Sequence, residues 1–99
     1  MTMESAYEIP VVFKLNEGSR YHFVFIGEPG SLEYGISLFD WKENMVFLKK
    51  NKRPEADGNI IDYSFASQAS EYHVFRPLQV NSTKPKGLCG YVLLFKKVS

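Results

Sequence analysis

The sequence predicts an all-β fold: one antiparallel β-sandwich domain of about seven strands over residues 1–99, jelly-roll-like or Ig-like in layout, with no significant helix. Three observations carry this. Short apolar segments recur along the chain, each with Tyr or Phe at alternating positions, the period at which strand side chains share a face. Aromatics reach 15% of the chain, and these residues suit a pleated, half-buried surface. Apolar positions rarely recur at three-and-four spacing, and no long run of Ala, Leu, Glu and Lys invites a helix.

The first strand is Val11–Leu15, and Asn16-Glu17-Gly18-Ser19 turns the chain into the second, Tyr21–Ile26. Gly18 supplies the positive φ such a turn requires. Tyr21, Phe23 and Phe25 share one face of that strand while Val24 and Ile26 share the other, so it is expected to be central and covered on both sides. Pro29-Gly30 has the signature of a type II turn and leads into Tyr34–Phe39. Asp40 to Asn44 then closes a hairpin onto Met45–Leu48. A polar stretch from Lys49 to Asn59 precedes Ile60–Phe65, and Ser67 to Glu71 forms a small-residue turn. Tyr72–Leu78 contains Pro77, which lacks an amide donor, so this strand is expected at a sheet edge or broken by a bulge. Asn81 to Gly90 reads as a long mobile loop before Tyr91–Phe95, whose two apolar faces again argue for a central place.

A chain of 99 residues supports one core and no second domain. Cys89 is the sole cysteine, so no intrachain disulfide forms and stability rests on the core. Residues 1–40 carry a net charge of −4 and residues 76–99 a net of +5, an asymmetry that strand interleaving would largely cancel. The whole chain is +1, which gives no global pull toward nucleic acid or an anionic membrane. No window has the apolar length to cross a bilayer. The segment Met1 to Pro10 has no basic region of the signal-peptide kind, so the sequence reads as an intracellular protein or as a mature or excised piece of something longer.

Catalytic chemistry finds little support. A nucleophilic Ser or Cys needs a base held by a third group, and the two histidines, His22 and His73, both sit inside strands among aromatics. Cys89 has no local signature of a reactive thiol. Two His and one Cys lack zinc-ligand spacing, and Asp40, Glu43, Asp57 and Asp62 form no Asp-x-Asp calcium pattern. No enzyme activity, cofactor or metal is expected.

Binding is better represented. Lys49, Lys50, Lys52 and Arg53 form the densest charge run and could grip an acidic group, although lysines at a strand end also guard an edge against unwanted pairing. Trp41 sits at a hairpin tip, where an exposed ring can stack on a sugar or anchor a protein contact, or fold back over the end of the core. Asn81-Ser82-Thr83 matches the glycosylation sequon.

The order of these segments resembles the bacterial pre-peptidase C-terminal domain. The matching pieces are Gly18-Ser19-Arg20-Tyr21-His22-Phe23, Ile36 to Asp40 with Glu43-Asn44, Ile61 to Phe65, Glu71 to Val74 and Gly90-Tyr91-Val92-Leu93. The family's Asp-rich dipeptides around the third strand are absent here. The resemblance implies a small sandwich with an accessory role in an exported bacterial protein. Together these readings predict a non-catalytic binding or accessory module that meets a protein or carbohydrate partner through Trp41 and the Lys49–Arg53 run. A small inhibitor or effector inserting a loop, or a structural subunit joined by edge strands, are the alternatives. Nucleic acid is not an expected partner, and oligomeric state stays open.

Overall fold

The computed structural model describes residues 1–52 and 58–97, with the side chain of Lys52 outside the description. It holds nine strands and, among the described residues, no helix, so none long and apolar enough to cross a membrane. They are β1 (Thr2–Met3), β2 (Val11–Leu15), β3 (Arg20–Ile26), β4 (Glu33–Phe39), β5 (Met45–Lys52), β6 (Ile60–Ala66), β7 (Glu71–Val80), β8 (Leu88–Cys89) and β9 (Tyr91–Lys97). All pairings are antiparallel: a four-stranded sheet ordered β2-β7-β4-β5, a three-stranded sheet ordered β6-β3-β9, and a small β1-β8 pair. The all-β sandwich expected from the alternation is therefore present.

Alternation explains how the layers meet. Tyr21, Phe23 and Phe25 of β3 point inward and are buried, opposite Ile36 and Leu38 of β4 and Phe75 of β7. Phe23 stacks on Phe75 at 4.9 Å between ring centroids, with Phe13 edge-on at 6.0 Å and Phe47 tilted at 5.8 Å. These rings come from both sheets, so one aromatic cluster joins the layers. Phe47 also stacks on Tyr63 at 4.3 Å, closing the β5–β6 side.

The turns follow their residues. Gly18 and Gly30 have φ of 81° and 90°, and each turn closes with an amide-to-carbonyl bond, Ser19 to Asn16 and Ser31 to Glu28. At Gly27 the need is space: a Cβ there would lie 2.5 Å from Cε1 of Tyr34.

Three local expectations are corrected. β7 is interior, between β2 and β4, and its ladder with β4 carries Pro77 opposite Ile36 without a bulge. In an antiparallel strand the amide and carbonyl of one residue face the same side. The Pro77 carbonyl accepts from the Ile9 amide, and the β2 register stops at Phe75, so the ring nitrogen faces a stretch where no ladder bond is needed. Second, β9 lies at an edge, and Tyr91, Leu93 and Phe95 project from its uncovered face. An apolar pattern on both faces does not distinguish a covered strand from one whose outer face is bare. The outer face of β3 is bare in the same way, with His22, Val24 and Ile26 half-buried by their neighbours.

Third, the Asn81 to Gly90 stretch is tethered. The Asn81 side-chain oxygen accepts from the Thr83 and Lys84 amides, Lys84 pairs with Glu28 at 3.2 Å, and Leu88–Cys89 pairs with Thr2–Met3. Asn81 is buried, and its amide nitrogen donates to the Ser31 hydroxyl at 3.2 Å, so the sequon asparagine has no free face for a glycan. Glu28 also accepts from the Cys89 amide, and chiefly that bond, then the Lys84 ammonium, holds its carboxyl below the ordinary value.

Candidate functional site

Trp41 stands at the tip of the β4–β5 hairpin with 62% of its surface exposed. The loop behind it is tied together by one carboxylate. Asp40 Oδ1 accepts from the amides of Lys42 and Asn44, both at 2.9 Å, while Oδ2 accepts from the Asn44 side chain at 3.2 Å. The Asn44 backbone bond is the main reason the Asp40 carboxyl sits below its usual range. Glu43 takes the left-handed conformation, φ 67°, that lets the chain reverse within this loop. Trp41 is thereby presented by a braced hairpin.

The ring does not stand alone. Its centroid lies 5.8 Å from that of Tyr72, on β7, at 52°. Tyr72 is itself half exposed, and Lys14 Nζ sits 5.9 Å above its ring. Beside the pair, a groove of about 330 Å³ runs over the outer face of the four-stranded sheet. Val12, Phe39 and Val74 line it with Trp41, and Asp40, Glu43 and Arg76 supply its polar groups. The Arg76 guanidinium packs 4.5 Å over the Phe39 ring, a cation–π contact that holds this wall in place. The volume is near the lower end for small-molecule sites, which suits one or two ring-sized groups.

Among the described residues of the basic run, Lys49 and Lys50 do not form one patch with Trp41. Lys49 pairs in register with Ile36, whose side chain is buried, and Lys50 pairs with Gly35 one residue along. Successive strand residues point to opposite faces, so the two lysines diverge. Lys49 Nζ donates to the Asp62 carbonyl at 2.8 Å and lies 3.9 Å from its carboxylate. It thus clasps the edge strands of the two sheets. Lys50 shares the outer face with Trp41 but lies about five strand residues from the hairpin tip, roughly 17 Å. Arg53 and the Lys52 side chain fall outside the described residues.

The structure also assembles a cluster that linear reading missed. On the outer face of the three-stranded sheet, His22 Nδ1 lies 2.8 Å from the Ser64 hydroxyl and Nε2 lies 2.7 Å from the Asp62 carboxylate. Ser64 is the direct cross-strand partner of His22, and Asp62 is the diagonal one. Its only linear trace is Asp62-x-Ser64 within one strand, meaningful once the β3–β6 register is known. The His22 and Asp62 side chains are 41% and 48% exposed, so water bathes both, and electrostatic stabilisation of a developing charge would be weak there. The cluster is a polar cross-strand row.

Compared with known protein families and with curated proteins, the chain matches none.

Proposed function

We propose that the protein is a non-catalytic binding or accessory module whose contact surface is the groove beside Trp41. The observation that carries this is the exposed Trp41–Tyr72 pair, held over a groove by a hairpin braced on Asp40. A preorganised aromatic pair loses little entropy on binding and offers broad faces to a sugar ring or an apolar protein anchor. Charged groups at its rim, Asp40, Glu43 and Arg76, supply orientation. The likeness to the pre-peptidase C-terminal domain accords with such an accessory role.

A glycan array read with wild type and Trp41→Ala tests the carbohydrate form of this reading. Loss of the hit in the variant is the expected result, equivalent to about 2 kcal/mol, or roughly thirtyfold in affinity, for a buried aromatic anchor. A profile untouched by the substitution removes Trp41 from the site.

A second reading, a structural subunit that self-assembles, draws on a different observation. The outer face of the three-stranded sheet exposes Ile60, Tyr91, Leu93 and Phe95, and β9 is an open edge beside them. Such an edge accepts another strand readily. Light scattering across a concentration series is expected to show mass rising with concentration if this face is used. A constant monomer mass refutes self-assembly and leaves the groove reading intact.

A further inference from the structure

At the end of the three-stranded sheet away from Ile60 and Tyr91, register brings like charges together. Arg20 of β3 lies directly opposite Lys97 of β9, and Lys96 opposes Tyr21 one position back. Like charges facing one another across an antiparallel pair oppose sheet formation. Among the described residues neither Arg20, Lys96 nor Lys97 makes an ion pair. The nearby carboxylate on this face, Asp62, is taken up by His22 and Lys49.

A pocket of about 230 Å³ opens at this point, and its lining includes Arg20, Tyr21, His22, Ser64, Phe95 and Lys97, with Lys96 beside them. It is smaller than a drug-sized site, so it suits a compact group. Ser64 forms part of its wall, its hydroxyl held 2.8 Å from His22 Nδ1. Phe95, 57% exposed, offers an apolar wall beside the cations.

We propose that this pocket binds the phosphate group of a small phosphomonoester. The guanidinium fork of Arg20 and the Lys97 ammonium offset the phosphate charge, and Phe95 carries the organic part. Phosphate fits better than carboxylate because two negative charges offset the Arg20–Lys97 repulsion more fully than one. The site lies on a different sheet from Trp41 and stands or falls independently of that groove.

Inorganic phosphate is the probe, with acetate and chloride at matched ionic strength as comparisons. Phosphate is expected to raise the melting temperature more than either, and to shift the amide resonances of Arg20, Ser64 and Phe95 with saturation near a dissociation constant of about 1 mM. Arg20→Gln is expected to weaken the phosphate response about tenfold or more while leaving the protein no less stable without phosphate, because the repulsion is relieved. Phenyl phosphate should bind more tightly than inorganic phosphate if Phe95 carries the organic part. Equal effects of phosphate and chloride, or an Arg20→Gln protein that keeps the full phosphate response, would overturn the proposal. Equal affinity for the two phosphates would overturn the role of Phe95.

Discussion

Replacing Gln79 by leucine is expected to lower the unfolding free energy by about 2–4 kcal/mol, since one buried and two partly buried polar groups each lose a partner. Gln79 is fully buried near the end of β7. Its carbonyl oxygen accepts from the Glu28 amide at 2.9 Å and the Ser31 hydroxyl at 3.0 Å, and its nitrogen donates to the Cys89 carbonyl at 2.9 Å. One side chain therefore ties the β3–β4 turn, β8 and β7 together. Leucine is of similar size but branches at Cγ instead of Cδ, so the loss reports hydrogen bonding together with a small repacking cost. Urea denaturation followed by circular dichroism measures it, with the midpoint falling and the slope unchanged. A loss below about 1 kcal/mol would show that this network has ready substitutes.

Phe23→Ala is expected to cost about 4 kcal/mol, a large part of the stability of a domain this size. Phe23 is fully buried and touches Phe13, Phe47 and Phe75, so its removal leaves a cavity between the sheets that neither can close alone. The melting temperature should fall by roughly 20 °C. Phe95→Ala, on the neighbouring β9 and one register position from Phe23 but facing outward, should change it little, within about 0.5 kcal/mol. Near-equal losses in the two variants would mean that the outer face is covered in solution.

The aromatic alternation located every long strand, because a strand that buries one face must repeat apolar residues at period two. Turn chemistry located the reversals at Gly18 and Gly30 for the same local reason. The divergence of Lys49 and Lys50 was also legible from that period, yet reading them as one charge run hid it. Other features were not local. β1 and β8 are two residues each and carry no pattern of their own; they pair across the whole length of the chain. Pro77 suggested an edge, but whether a missing donor costs anything depends on how far the neighbouring strand extends. Tyr72 looked like any strand tyrosine until the sheet order brought β7 under the β4–β5 hairpin.

The amino-acid order by itself determined the fold class, the positions of the seven long strands and the turn at Asp40, since each depends on residues close together in the chain. Tertiary structure decided strand order and register, and with them every candidate site. The Trp41–Tyr72 pair, the Ser64–His22–Asp62 row and the Arg20–Lys97 juxtaposition each join residues separated by dozens of positions. Alternation specifies which face a side chain takes; only pairing specifies what stands opposite it.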